Sequence, residues 1–339
     1  MSEGAYNIVA LGRQADIATA VPATTLFPVD AGFLGFELDR GTESPDEDFG
    51  SNSREYPGRE SHGVRWATAS LPFVMRFQDF MHALEMHVDT IGTPTGSAWG
   101  YVFDDTGVLL NTSLKPYTME YGVDGTTQDE WRAVGVIANE LECGFDALSA
   151  AGNSMWKGTL GLVAIDREAN AITGTAVAPA TLETMEGHFT TLAEGPTGTA
   201  FASLATLTGS LKQFSLRSSL NAQGRAYGGS TDRVTSIGRS GKGTVEFDAL
   251  IGISANSKSD VHDIYNVTGS PATERRWRLT VSGSGTNAMT IDARVRFRSV
   301  NVGEHEDERL YAVNGVWVYD STLTGRGKFT LNNAVSSIP

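Results

Sequence analysis

The sequence predicts a mainly β fold built from duplicated modules with long hairpins and one flanking amphipathic α-helix. Its 38 glycines, abundant threonine and valine, and 19% charged residues are typical of β-rich proteins. Two stretches also repeat, since SLKPYTMEYG begins at Ser113 and SLKQFSLRSS begins at Ser210. Each runs on to the tetrapeptide FDAL, at residues 145–148 and 247–250. The alternation of apolar and polar residues between these ends predicts a repeated long β-hairpin.

Four such hairpins are expected, two in each half of the chain. In each, two alternating apolar and polar runs flank a loop, which is the pattern of two half-buried antiparallel strands. The predicted pairs are Leu34–Asp39 with Trp66–Val74, Tyr117–Tyr121 with Ala133–Leu148, Phe214–Ser218 with Thr244–Leu250, and Trp277–Ser282 with Met289–Arg298.

The domain organisation follows from these hairpins and from shifts in composition. The first thirty residues hold Pro22 and Pro28 and read as an extended arm, and an Ala/Thr/Gly-rich stretch separates the two halves. We predict an N-terminal arm (1-32), a first β-sandwich or barrel module (33-175), a connector (176-208), a second module (209-332) and a C-terminal tail (333-339).

A helix is predicted over residues 77-88. Its apolar residues fall at helical spacing, with polar residues on the opposite side, so we expect the apolar stripe to lie against the outside of a sheet. On this interpretation His82 and His87 face solvent or the edge of the helix. A weaker helical turn is predicted over Lys258–Asn266. The stripe is Phe77, Phe80, Met81, Leu84 and Val88, and the polar side is Gln78, Asp79, His82 and Glu85.

Composition excludes several classes of protein. The single cysteine, Cys143, excludes an internal disulfide framework and a cysteine-built metal site. No apolar run reaches the roughly 18 residues that span a membrane. The N-terminus has no basic start followed by an apolar core, so we expect synthesis in a cytoplasm.

The charge balance is strongly acidic. The chain carries 26 basic and 40 acidic residues, a net charge of −14. Such a protein repels nucleic acid and anionic membranes, because binding to either is driven by lysine and arginine. The ordinary interpretation is solubility. The sharper hypothesis is that the acids line a surface past which a polyanion slides without sticking.

No catalytic, cofactor or metal site is predicted, so we expect no enzyme activity and no cofactor. The loop from Gly238 to Thr244 lacks the glycine and hydroxyl positions of a phosphate-binding loop, and a strand follows it instead of a helix. The six histidines never take a metal-binding spacing. An active site assembled only in three dimensions stays open.

The stretch LGRQADIATAVPATTLFP, residues 11–28, resembles the N-terminal segment of tail tube proteins (major tail proteins) of long-tailed, siphovirus-like bacteriophages. The repeated hairpins, the single helix and the acidic balance are also similar to that family. The resemblance covers most of the chain in layout, and at residue level it is confined to positions 11–28 and the repeated hairpins.

The resemblance implies a structural virion protein that polymerises into stacked rings around a channel for genome delivery. Its implied partners are other copies of itself and the tape measure, tail tip and tail terminator proteins. DNA would pass through the lumen without specific binding, and no membrane is involved. Two tube-like halves favour a trimeric pseudo-hexamer over a hexamer. The implied location is the virion tail, after synthesis in the host cytoplasm.

Seven acids on the polar faces of the predicted strands are candidates for lining the lumen. Ordinary solvent-facing positions are the alternative for all of them. They are Glu37, Asp39, Glu120, Glu140, Glu142, Glu246 and Asp248. The long loops Arg40–Gly63, Gly122–Trp131 and Ser219–Gly243 and the arm Tyr6–Pro28 are expected to make ring-to-ring contacts.

Two other classes compete with this interpretation. One is another phage structural β protein, a capsid decoration or baseplate component made of the same modules. The other is a carbohydrate-active β-sandwich enzyme, which requires two carboxylates converging in a cleft. The acids of this sequence are instead scattered over alternating strand faces.

Overall fold

The computed structural model describes residues 8–30, 32–43, 61–88, 90–91, 98–103, 115–123, 129–147, 154–173, 176, 182–207, 211–225, 236–239, 243–266, 274–305 and 308–333. The chain is mainly β and antiparallel, as expected. In the described part of the chain, none of the helices has the length and apolar character needed to cross a membrane.

In the first half of the chain the described residues form ten strands and a helix. They are β1 (Ile8–Arg13), β2 (Thr25–Leu26), β3 (Glu37–Glu43), β4 (Ser61–Val74), α1 (Phe80–His87), β5 (Thr90–Ile91), β6 (Ala98–Phe103), β7 (Tyr117–Gly122), β8 (Glu130–Asp146), β9 (Lys157–Ala164) and β10 (Asp166–Ala169).

In the second half the described residues form ten further strands, a short helical segment and two 3-10 turns, Gly187–Phe189 and Phe201–Ser203. They are β11 (Thr190–Pro196), β12 (Ala205–Leu207), β13 (Leu211–Ser219), β14 (Ala222–Arg225), β15 (Ser236–Arg239), β16 (Thr244–Gly252), α2 (Ala255–Ser257), α3 (Asp263–Asn266), β17 (Glu274–Ser282), β18 (Ala288–His305), β19 (Glu308–Val318) and β20 (Gly327–Asn332). A π-helical turn, Lys258–His262, joins α2 to α3.

The strands of the first half pair in the order β3-β4-β9-β8-β7-β1-β2. Those of the second half pair in the order β13-β16-β19-β18-β17-β11-β12. The two orders meet where β13 pairs with β8, which places Phe214 opposite Phe145. We call this strand pair the joint. The sheet does not close on itself, so a closed barrel within one chain is not seen.

Three of the predicted hairpins form: β3 with β4, β13 with β16, and β17 with β18. The fourth was only partly right. Strand β7 pairs with the first part of β8, where Tyr117 lies opposite Val136, but the far end of β8 pairs with β13. The reason is a β-bulge between Ala138 and Glu140, after which the long strand has a different neighbour. The two FDAL segments therefore flank β13 and do not close two matching hairpins.

Two segments predicted to lie outside the modules contribute strands to the sheet. Ile8–Arg13 of the predicted arm forms β1, which pairs with β7 and buries Val9 and Leu11. Within the predicted connector, β11 pairs along its length with β17 and buries Leu192. Both segments were poor in long apolar runs, and pairing with a neighbouring strand is what buries them. The predicted tail, residues 333-339, lies outside the described residues except for Asn333.

Helix α1 is shorter and more buried than predicted. It covers Phe80–His87, and all eight of its residues are buried. The expectation that His82 and His87 face solvent is wrong. The ring of His87 lies 3.0 Å from the Ala138 carbonyl oxygen and 2.8 Å from Ser218 Oγ, so protein atoms cover the polar side of the helix. The weaker helical turn predicted over Lys258–Asn266 begins three residues earlier, at Ala255.

The core on one side of the sheet is crossed by a row of aromatic rings. Their centroids are separated by 5.0 Å from Phe145 to Trp156, 5.9 Å from Trp156 to Phe214, 6.5 Å from Phe214 to Phe247 and 4.9 Å from Phe247 to Trp277. Aromatic rings at these separations attract one another in addition to the area that they bury. The row therefore packs the two halves of the chain against each other beneath the joint.

Candidate functional site on the polar face of the sheet

The side of the sheet opposite the aromatic core carries polar and small residues near the joint, whereas a second hydrophobic cluster that includes Ile137, Val163 and Leu220 covers another part of it. In β4, β9, β8, β13, β16 and β19 alternate residues are buried in the core, and the residues between them point the other way. We call this second surface the polar face. Its members include Ser70, Thr159, Glu140, Glu142, Gly144, Gln213, Ser215, Arg217, Glu246, Asp248 and Asn314.

Arg217 lies at the centre of the polar face. In β13 it is opposite Glu142 of β8 on one side and opposite Glu246 of β16 on the other. Its Nη2 atom is 3.5 Å from Glu140 Oε2, and the two side chains are 65% and 44% exposed. Exposed pairs of this kind contribute only about 0–1 kcal/mol to stability. Their main effect is to balance charge across the joint.

Two further acids of the polar face, Glu246 and Asp248, also have partners. Arg298 Nη1 donates to Glu246 Oε1 at 2.6 Å, and Asn314 Nδ2 donates to Asp248 Oδ1 at 2.7 Å. The polar face therefore carries both signs of charge and is not uniformly acidic.

Four of the seven predicted acids, Glu140, Glu142, Glu246 and Asp248, lie together on the polar face. Glu37 lies on the same side at the end of the sheet, opposite Thr68, and is exposed. Asp39 lies in β3 opposite Trp66, and the surroundings of its side chain lie outside what the structure describes.

Glu120 does not join the other acids. It is 1% exposed, and its carboxylate accepts hydrogen bonds from the Thr173 backbone N–H and from Thr173 Oγ1. The alternation in β7 suggested a polar outer face, but β7 lies between β1 and β8 and all six of its residues are buried. Parts of the loops predicted to make ring contacts lie outside the described residues, as does part of the Gly238–Thr244 loop.

A buried polar cluster lies inside the molecule around Glu85. Arg13 Nη2 lies 2.8 Å from Glu85 Oε1, the Tyr117 hydroxyl donates to Glu85 Oε2, and His82 Nδ1 is 3.3 Å from that hydroxyl. Burial raises the pKa of Glu85 and lowers the pKa of His82 to about 4. An acid, a phenol and an imidazole in contact can exchange protons. The Glu85 side chain, however, is completely buried and closed to a substrate.

Metal binding has no candidate in the described residues, since no group of three His, Cys, Asp or Glu side chains could hold an ion. No protein-family model matches the sequence, and no curated protein matches it.

Sequence reasoning missed Arg217 as a member of the polar face. The sequence contained the pattern that predicts it. Arg217 lies between the core residues Leu216 and Ser218, and the neighbouring strands carry acids at the positions that point to the same side.

Proposed function

We propose that the chain is a structural protein whose copies join into stacked rings and form the tail tube of a long-tailed bacteriophage. The observation that carries the proposal is the polar face, which continues across the joint from one half of the chain to the other. Further copies added in the same way would extend it into a polar wall around a channel. The aromatic core would then lie outside that wall.

The charges of the polar face suit a channel for DNA. Proteins bind DNA mainly by neutralising phosphates with lysine and arginine. On this face Arg217 and Arg298 lie beside Glu140 and Glu246, so protein carboxylates already compensate their charge. A wall of paired charges and small polar side chains would let a polyanion move past without adhering.

The corresponding pairing orders of the two halves support a ring of three chains. The first half pairs as β3-β4-β9-β8-β7-β1 and the second as β13-β16-β19-β18-β17-β11. We infer that the halves are duplicated tube-like modules, so that three chains supply six modules. A hexamer of whole chains is the alternative. Tape measure, tail tip and tail terminator proteins are the proposed partners, on the resemblance of residues 11–28.

Electron microscopy of the purified protein tests the proposal. We expect hollow tubes of stacked rings after concentration or warming, with three chains in each ring as measured from mass per unit length. A measured six chains in each ring would show that the ring is a hexamer of whole chains and not a trimeric pseudo-hexamer. If the chain stays monomeric even when tail tips from the same virus are added as nuclei, the tail tube function is wrong.

A further inference from the structure

We propose that β3 of one chain pairs antiparallel with residues Ser299–Asn301 of β18 of a second chain, with Glu37 opposite Asn301. The resulting ring is the one of the proposed function, on which its biological role rests. The joint shows inside one chain how the first strand of one half adds to a long strand of the other.

The long strands β8 and β18 can be aligned by their bulges. Strand β8 has a register shift against β9 between Ala138 and Glu140, and β18 has one against β19 between Phe297 and Ser299. Glu140 therefore corresponds to Ser299, and counting onward Glu142 corresponds to Asn301. Beyond its bulge β8 pairs with β13. By correspondence, the same part of β18 is where another first strand would add.

The first strands β3 and β13 can be aligned through their own neighbours. Glu37 lies opposite Thr68 of β4, and Thr68 lies opposite Val163 of β9. Val163 in turn lies opposite Ile137 of β8, the residue before Ala138. Arg217 lies opposite Glu246 of β16, and Glu246 lies opposite Val316 of β19. Val316 in turn lies opposite Arg296 of β18, the residue before Phe297. Glu37 thus corresponds to Arg217. Because Arg217 lies opposite Glu142 at the joint, Glu37 of one chain lies opposite Asn301 of the next.

Both edges are open in the single chain. Within the described residues, Ser299–Gly303 pair only with β19, and β3 pairs only with β4. Val302 is 57% exposed, whereas its counterpart Cys143 at the joint is 1% exposed. Leu38 is 39% exposed, whereas its counterpart Ser218 is 1% exposed. Open edges with exposed apolar side chains are sites where further strands add.

A glycine also corresponds between the two edges. A Cβ atom on Gly144 would lie 2.2 Å from the Phe214 carbonyl oxygen, so the joint requires a glycine there. Its counterpart is Gly303, where a Cβ atom would meet only the Ala312 Cβ atom at 3.9 Å. Among the described residues nothing requires this glycine, which lies two residues beyond Asn301.

Side chains protect both edges in the single chain. The Tyr265 hydroxyl donates to the Arg298 carbonyl oxygen, and Asn266 Nδ2 donates to the Val300 carbonyl oxygen at 3.3 Å. On the other edge, Arg167 donates to the Phe36 carbonyl oxygen, so the new pairing begins at Glu37. Such protection is common at edge strands. Because a carbonyl oxygen accepts two hydrogen bonds and the Asn266 contact is long, an incoming backbone N–H can take its place.

Cysteine cross-linking tests the register. At the joint, the Leu220 N–H donates to Asn139 O and the Ala147 N–H to Lys212 O, so Glu142 and Arg217 form a pair without backbone hydrogen bonds. Pairs of this kind have Cα atoms about 4.5 Å apart, a distance that a disulfide spans. Six strands separate Glu37 from Asn301 within one chain, so a disulfide in the double variant E37C/N301C must join two chains. The buried Cys143 is unchanged throughout.

We expect oxidised E37C/N301C to form covalent dimers and closed trimers, with a yield at least about ten times that of the out-of-register pair L38C/N301C. Equal yields from the two pairs would overturn the register. Tubes of wild-type protein without cross-linking of E37C/N301C would refute the strand pairing and leave the tail tube function standing. Cross-linked rings that never stack would support the strand pairing and refute the tail tube function. If the protein formed no tubes and the double variant gave no cross-links, both the strand pairing and the tail tube function would be refuted.

A second variant separates assembly from folding. In V302K the new side chain is exposed in the single chain, so the midpoint of urea unfolding should not move. In the ring Val302 lies opposite the buried Phe36, just beyond the paired residues, so the lysine buries an unpaired charge, and the concentration needed for ring formation should rise about 100-fold or more. The matched control I253K places a lysine at a residue that is 46% exposed and lies in neither β3 nor β18, so it should assemble like the wild type. Assembly of V302K at the wild-type concentration would overturn the inference.

Discussion

Phe145 and Phe214 lie directly opposite one another in β8 and β13, the strands that form the joint. Trp156 packs against both rings, and all three side chains are buried. The backbone pairing of the two halves and their aromatic packing therefore occur at the same place. Removing the packing should weaken the whole chain and not only one strand.

The variant F214A should lower the free energy of unfolding by about 3–5 kcal/mol, because it leaves a cavity beneath the joint. Urea unfolding followed by tryptophan fluorescence measures the change. The matched control is F189A, since Phe189 is 53% exposed and its removal should change stability by less than about 0.5 kcal/mol. Similar losses from the two variants would contradict the assignment of Phe214 to the core.

A pair of glycine variants distinguishes a closed strand contact from an open one. In G144A the added methyl group would meet the Phe214 carbonyl oxygen, so the strands must separate and the chain should lose about 1–3 kcal/mol of stability. In G303A the methyl group meets only the Ala312 Cβ atom, at an ordinary contact distance of 3.9 Å, and the stability of the single chain should be unchanged. Thermal unfolding of both variants at a concentration below that of assembly gives the comparison. A stable G144A variant would mean that β8 and β13 are not in close contact.

Asp79 should make stability depend on pH in an unusual direction. Burial raises its pKa to about 6, against the opposing effect of Arg76, whose Nη1 is 3.9 Å away. The folded state then holds this proton at pH values where the unfolded state has lost it. The contribution of Asp79 to the free energy of unfolding therefore falls as pH rises from about 4 to about 6.

The variant D79N removes this titration while keeping a similar side chain at the start of α1. It should be about 2–3 kcal/mol more stable than the wild type above pH 6 and equal to it near pH 4. Chemical unfolding across this pH range measures the difference, in which the titration of other groups such as His82 cancels. A difference that does not vary with pH would show that Asp79 does not titrate in this way.

The acids of the polar face should prevent DNA from adhering to assembled tubes. In the triple variant E140Q/E142Q/E246Q, Arg217 and Arg298 lose their carboxylate neighbours while the folded chain stays within about 1 kcal/mol of wild-type stability. We expect its tubes to retain fluorescent duplex DNA at low salt and to release it as salt rises, because phosphate contacts depend on counterion release.

The control for this experiment is E168Q, which removes the carboxylate beside Arg132 and leaves the neighbours of Arg217 and Arg298 unchanged. Its tubes should not retain DNA. Retention by both variants alike would mean that net charge alone, and not the wall of the channel, decides adhesion.

The sequence by itself determined that the fold is mainly β and, in strands such as β13 and β16, which residues share a face. Alternation in β13 and β16 placed Glu246 and Asp248 opposite the core side chains Phe247 and Ala249, because successive side chains of a strand point to opposite sides. Helical spacing likewise predicted α1. These are local properties of the backbone, and so a single sequence carries them.

Only the tertiary structure decided which strand pairs with which, and therefore what is covered. Alternation is the same whether a strand lies at an edge or in the middle of a sheet, so it could not show that β8 changes partner at its bulge or that β7 buries Glu120. Helical spacing likewise predicted an exposed polar side for α1, because spacing does not show which parts of the chain will cover that side. Burial of His87 and the placement of Arg217 among acids depend on contacts between residues far apart in the chain, and those contacts form only when the strands assemble.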